Sequence, residues 1–449
     1  MRVRPADATV GPALRVGSGV AIALVVGGLL GHPMLGAIAG LGAITAAFCR
    51  HQPMPLLAPR LMIYGAISVA FVFLGSFMSA ANVPTAIQLL TFSVGAGVAA
   101  HLFTAFEITG PGPVVVLLSG SAAAGPSNTL ADVPVVTAAA VAGAALGLVA
   151  ALAPRILHPM GAARLAVARA LAAVARLEQF EESRDVAARK EAVVGARGAL
   201  AHAHSTIDLS HPTSQHGRAL SAVLAEADAA VDEWIEAGAS HRISSVTRHE
   251  RELRKIRRTC DIPDYDPSDT VRIRHVESPV SLWTTAHERL ISSTSIASAI
   301  RTAVAAAISS YAAVGLHLAH PMWAMFGAVA ALQGLSFAHT VERGIQRAIG
   351  NLVGALLAIA FLAAGPLYWH LVIGIVVLLI LAELWAPRQY AVTSMVLGAG
   401  TVLFVALGAD ITSDVAFDRA ADTLVGVVVG IVIAALTLSP TDPIRAEGA

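Results

Sequence analysis

The sequence predicts an all-α polytopic membrane protein, with two six-helix transmembrane repeats in parallel orientation flanking a soluble helical domain. Three observations predict it. Apolar segments fill both ends of the chain, a charged stretch with helical patterning fills the middle, and one ordered series of residues occurs twice.

Of the 449 residues, 56% are hydrophobic and 13% charged. Soluble chains carry about 25% charged residues. The deficit leaves long uncharged runs, the mark of membrane spans. The formal net charge is zero, so nothing favours a nucleic-acid partner. Cys49 and Cys260 stand far apart and form no disulfide framework or metal motif. Phosphate-binding loops and dinucleotide fingerprints are absent from the sequence, which predicts no cofactor and no enzyme.

Residues 1–153 hold six apolar segments, at 14–30, 34–48, 61–80, 85–103, 111–124 and 134–152. Several are shorter than the ~20 residues that cross a bilayer untilted, the second and fifth most of all. The basic start at Arg2 and Arg4 gives the first segment a signal-peptide outline. Its counterpart at 300–318 cannot be one, so both read as spans. Abundant glycine and alanine predict close helix approach, because small residues drive packing in lipid.

Composition changes at Pro154-Arg155. Residues 154–296 hold 19 of the 30 Lys+Arg and 19 of the 30 Asp+Glu. Apolar residues still recur at helical spacing there. On 163–180 they are Leu165, Ala168, Leu171, Ala172 and Val174, set against Arg164, Arg169 and Arg176. On 218–238 they are Leu220, Val223, Leu224, Ala227 and Val231. A third helix is expected over 179–201, and the prolines of 261–279 predict a loop. This middle domain has a plausible size for an independent unit. Residues 297–449 then bring six more apolar segments, at 300–318, 322–337, 345–364, 368–384, 391–407 and 420–438.

The repeat rests on order and spacing. Arg15 precedes His32 by 17 positions and Arg301 precedes His320 by 19. Each histidine opens a His-Pro-Met turn, and an arginine follows 28 and 27 positions on, at Arg60 and Arg347. The tripeptide alone decides little, since His158-Pro159-Met160 also occurs. An even number of spans per half makes the halves parallel, and transporters commonly place substrate between such repeats. Arginine placement puts the middle domain and both termini in the cytoplasm of a cell (inner or plasma) membrane protein. Arg50, Arg60, Arg343, Arg347 and Arg388 fall on that side; Arg419 is the basic residue on the other.

Two helices carry polar residues at i+3, i+4 and i+7 from an arginine, all on one face. One is Arg347 with Gly350, Asn351 and Gly354; the other is Arg419 with Asp422, Thr423 and Gly426. Such a face suits a bundle interior better than lipid. Arg347, Asn351, Arg60, Arg419, Asp422 and Trp323 are therefore candidate substrate-binding residues, the arginines offering a planar fork to a carboxylate. The plain alternative is an interfacial arginine that snorkels to headgroups. Glu383 and Glu107, at span ends, are candidate proton-coupling carboxylates, or else solvated helix-end charges. Trp323 also fits an aromatic belt. In the middle domain, His202, His204, His211 and His216 match no common zinc spacing, and the basic stretch 248–258 is either a headgroup-facing or a solvated face.

Leu318-Ala-His320-Pro321-Met-Trp323, followed by Arg347-x-x-Gly350-x-x-x-Gly354 and Arg419-x-x-Asp422-Thr423-x-x-Gly426, resembles the fusaric acid resistance protein family of the aromatic acid exporter superfamily. The resemblance runs over the whole chain in order: two membrane halves and a cytoplasmic helical domain. It implies an inner-membrane efflux protein for aromatic carboxylic acids, driven by a gradient. The first half departs from the pattern, with Leu35 in place of Trp323 and Tyr64-Gly65 after Arg60. The resemblance therefore puts the polar path in the second half. A passive organic-anion channel and a membrane scaffold or sensor with a partner-binding cytoplasmic domain are the alternatives. The expected partners are a small organic anion and the lipid bilayer. A second copy or a periplasmic adaptor stays open, and no nucleic acid is expected.

Overall fold

The computed structural model describes residues 10–158, 160–180, 185–210, 213–254, 282–333, 337–408 and 413–437, the side chains of 155, 157, 337–339 and 413–420 excepted. The stretch 261–279, Cys260 and His211 lie outside the described residues. Every regular element among the described residues is helical, and the chain forms two compact units.

The first unit comprises Met1–Arg50, Arg60–Ala151 and Leu282–Ala449. Its first apolar half runs through α1 (Val10–Leu29), α2 (Pro33–Ala43), α3 (Met54–Ala80), α4 (Thr85–Ala105), α5 (Val114–Ala122) and α6 (Asp132–Leu157). The helices of the second unit come next in the chain: α7 (Gly161–Ala175), α8 (Val186–Asp208), α9 (Gln215–Ala237), α10 (Arg242–Thr247) and α11 (Glu250–Leu253). The chain returns to the first unit through α12 (Leu282–Leu290), then α13 (Ser293–Gly315), α14 (Pro321–Ala331), α15 (Phe337–Leu362), α16 (Tyr368–Trp385), α17 (Tyr390–Ala406) and α18 (Ser413–Thr437). Among the described residues seven helices are long and apolar enough to cross a membrane: α1, α3, α4, α6, α13, α15 and α16. The protein is a multi-pass membrane protein.

Twelve spans are expected from the sequence; among the described residues the other apolar helices are shorter than a span. Both His-Pro-Met turns start helices of 11 residues, α2 and α14. At 1.5 Å per residue these are ~16 Å long, about half the hydrocarbon thickness. His32 and His320 are the N-caps with nearly the same backbone, φ −120°, ψ 64° and φ −132°, ψ 69°. Proline follows at N1, where its missing N–H costs nothing and its fixed φ suits the helix. A broken helix leaves backbone groups that lipid cannot satisfy, so it must be enclosed by protein. In α14 every residue from Ala324 to Ala331 is buried, all the way round the helix.

The preceding helices end alike. Gly31 (φ 73°) and His317 (φ 57°) are left-handed caps, with the next amide bonded back to Gly27 and Ala313 carbonyls at 2.8 and 3.0 Å. Each cap stands 16 positions after its arginine, Arg15 or Arg301. The two-residue difference in spacing thus falls wholly in the turn, at Leu318-Ala319.

Packing between the halves is reciprocal. The first helix of each half, α1 or α13, lies against the fourth helix of the other, α16 or α4. Tyr368 Oη donates to the Leu24 carbonyl at 2.6 Å, and Tyr311 Oη donates to the Ala86 carbonyl at 2.7 Å. These are the same crossing with donor and acceptor interchanged.

The second unit comprises His51–Pro59 and Leu152–Ser281. Its core joins Val167, Leu171 and Val174 of α7, Leu200 and Ala203 of α8, and Leu220, Leu224, Val231 and Trp234 of α9. The expected α9 stripe is buried in full. Asp185 and Ser214 cap α8 and α9, and Gly238 (φ 78°) ends α9. The stripe read on α7 needs correcting. Arg164 is buried, its Nη2 donating to the Glu252 carbonyl at 3.0 Å, while Leu165 and Ala172 are half-buried. That helix is enclosed on more sides than a two-sided pattern allows.

Candidate functional site

Glycine sets the crossing on which the site is built. A Cβ at Gly350 would stand 2.6 Å from the Ala391 carbonyl and 2.8 Å from the Met395 amide, and one at Gly354 would stand 2.9 Å from the Ala399 amide. Only glycine lets α15 lie so close on α17, the small-residue packing of membrane helices. The close approach brings the polar face of α15 onto the head of α17.

There Ser394 Oγ lies 3.3 Å from the Arg347 carbonyl and 3.2 Å from Asn351 Oδ1, with Asn351 and Ser394 both buried. Arg347 Nη1 points at Tyr390 Oη, 3.5 Å away, at the outer limit of a hydrogen bond. One turn before Arg347, the Arg343 guanidinium sits over the Tyr390 ring, 4.1 Å from its centroid. Two guanidinium groups therefore share one phenol. Among the described residues no carboxylate lies within ion-pair distance of either arginine. The arrangement offers two positive forks and a hydroxyl at a helix crossing, the chemistry that holds a planar anion.

The corresponding place in the first half is built otherwise. Arg60 of α3 is almost wholly buried and ion-paired with Glu107, which follows α4. Arg289 of α12 reaches the other carboxylate oxygen at 2.6 Å. Beside them Trp283 lies edge-on to Phe106, with 5.6 Å between centroids. Glu107 holds a left-handed backbone, φ 52°, in a cap position where glycine is the usual residue.

Of the residues singled out from sequence, Arg347 and Asn351 come together on α15. Arg60 and Glu107 meet in the first half. Glu383 is buried in α16, 2.6 Å from Arg50. Asp422 and Thr423 are fully buried on α18, whose Gly426 packs against α14. Arg419 belongs to α18, and its side chain lies outside the described residues. Trp323 stands at the start of α14, edge-on to Phe326. In the second unit His204 Nε2 lies 2.7 Å from Asp228. Tyr390, Arg343 and Ser394 were not among the residues singled out as candidates. The i−4 spacing of Arg343 from Arg347 was a usable signal; a partner 43 positions away was not.

Comparison with known families finds one likeness, in the second apolar half. Residues 304–433 match the family described as fusaric acid resistance protein-like. That stretch, within the second apolar half, is similar to a fusaric acid resistance protein-like domain. The matched stretch runs from α13 into α18 and contains Trp323, Arg343, Arg347, Asn351, Tyr390 and Asp422. The matched stretch includes α15 and α16, two of the helices long and apolar enough to cross a membrane. No curated protein and no solved structure matches the chain.

Proposed function

We propose that this fusaric acid resistance protein-like protein is a secondary transporter that exports small organic anions, aromatic carboxylic acids above all, across the cell membrane. The observation that carries the reading is the pair Arg343 and Arg347 at Tyr390, two cations with no acidic partner among the described residues. A carboxylate accepts from such forks in a planar, bidentate manner, and guanidinium planes also stack on aromatic rings. Asn351 and Ser394 extend the polar face one turn further along α15. The two apolar halves are copies in parallel orientation, a reading supported by the matched caps and the reciprocal tyrosine crossings. Arginine bias supports a cytoplasmic placement for the termini and the middle domain. Glu383, paired with Arg50, and Glu107, paired with Arg60 and Arg289, are the carboxylates available for proton coupling.

The test is efflux of a radiolabelled aromatic acid such as benzoate from cells or proteoliposomes. R347Q should abolish efflux while the protein still inserts and purifies as a folded species. Efflux at the wild-type rate by that variant would sink the site assignment.

A further inference from the structure

Arg60 and Arg347 occupy matching places. Each lies in the first part of the third helix of its half, 28 or 27 positions after the His-Pro-Met histidine. Each is met by a residue from the junction between the fourth and fifth helices. In the first half that residue is Glu107, between α4 and α5; in the second it is Tyr390, heading α17 after α16. The sequence separations, 47 and 43 residues, agree within a short turn. One arginine thus receives a carboxylate from its own chain, and the other receives a neutral phenol.

The first-half carboxylate is held by two arginines, one buried and one exposed. Glu107 adopts φ 52°, a conformation that costs a non-glycine residue ~1–2 kcal/mol. Arg289 grips its second oxygen from α12, and Arg289 Nη1 also lies 3.4 Å from the Thr104 carbonyl. Glu107 ends its helix with the same left-handed cap as His317, and that cap carries its carboxylate to two cations, Arg60 and Arg289.

We infer that Glu107 serves as a built-in carboxylate ligand of Arg60, closing the first half to anions and leaving one carboxylate-binding place per chain, at Arg343, Arg347 and Tyr390. The inference rests on the reading of Arg347 as an anion site. It makes the protein functionally one-sided although its halves are built alike. Glu107 is then a specificity residue: its charge excludes the very class of ligand that its counterpart admits.

The experiment is calorimetric titration of the purified full chain in lipid nanodiscs with benzoate. Wild type should bind one benzoate per chain and R347Q none. E107Q should bind two, and R60Q/E107Q should return to one. The reciprocal variant Y390E, which sets a carboxylate beside Arg347, should weaken binding by more than ~100-fold, since like charges exclude each other strongly in such sites. Y390Q, the uncharged counterpart of Y390E, loses the ring under Arg343 and the hydroxyl alike, yet should bind benzoate at least ~10-fold more tightly than Y390E. An E107Q chain that binds a single benzoate overturns the inference. Should E107Q fail to fold, Y390E decides alone, and binding by Y390E equal to that of Y390Q overturns it. Wild-type binding indifferent to R347Q overturns instead the underlying site.

Discussion

Arg50 and Glu383 join the two apolar halves: the guanidinium lies 2.6 Å from the carboxylate, and both side chains are largely buried. Arg50 follows the short second helix of the first half, and Glu383 lies in the last turn of α16. Removing one partner of such a pair leaves an uncompensated charge, which costs about 3–5 kcal/mol. E383A should therefore lower the thermal midpoint of the detergent-solubilised protein, followed by fluorescence-detected gel filtration. The exchange R50E/E383R should recover a large part of the loss, whereas a residue acting in proton coupling alone would recover none.

Gly350 and Gly354 should prove to be packing residues. Their α-carbons face the backbone of α17 with no space for a Cβ. G354V forces α15 away from α17 and with it Arg347 away from Tyr390. The expected result is a protein that is proteolysed or aggregated after extraction, not one that inserts normally with altered ligand preference. Normal yield and stability would contradict the crossing.

Arg343 should matter to transport nearly as much as Arg347. R343A removes one of the two cations at Tyr390 and the stacking on its ring. Loss of a charge-assisted contact, about 1.5–3 kcal/mol, predicts a roughly 10- to 100-fold rise in the half-saturating benzoate concentration. Y390F should give a smaller rise, since it keeps the ring under Arg343 and loses only the hydroxyl. Equal effects of the two variants would argue against the arrangement.

Cys49 should be silent toward thiol reagents in the folded protein. It is fully buried, and burial pushes its thiol above the ordinary range, so the reactive thiolate is scarce at neutral and mildly alkaline pH. In a C260S background, maleimide labelling at pH 7 and pH 8.5 should be negligible until detergent denaturation, then stoichiometric. Rapid labelling of the native protein at either pH would show that the segment opens.

Much of this architecture is legible in the residues, for reasons that differ by element. Apolar runs and the His-Pro turns are local signals: proline at N1 and a span-length uncharged stretch need no tertiary information. The inward face of α15 is local too, since Arg347, Gly350, Asn351 and Gly354 recur at helical spacing. What the glycines do is not local, because their use depends on which helix comes to meet them. Tyr390, Ser394 and Glu107 are hidden for the same reason: each reaches an arginine more than forty positions away. Glu107 reads as a helix-end charge until the left-handed cap turns its carboxylate onto Arg60. The stripe on α7 misled because a buried arginine can satisfy itself on a backbone carbonyl, as Arg164 does on Glu252.

The shortness of α14 bears on how the protein is made. A helix of 11 residues is too brief to partition into lipid by itself as it leaves the ribosome. Its enclosure depends on α18, whose Thr423 carbonyl and Gly426 lie against Gly327, and α18 is synthesised about eighty residues after it. The enclosure of α14 is therefore completed only after α18 has been made. Until then α14 must wait at the translocon or beside α13, and a chain truncated before α18 is one that quality control should recognise and remove.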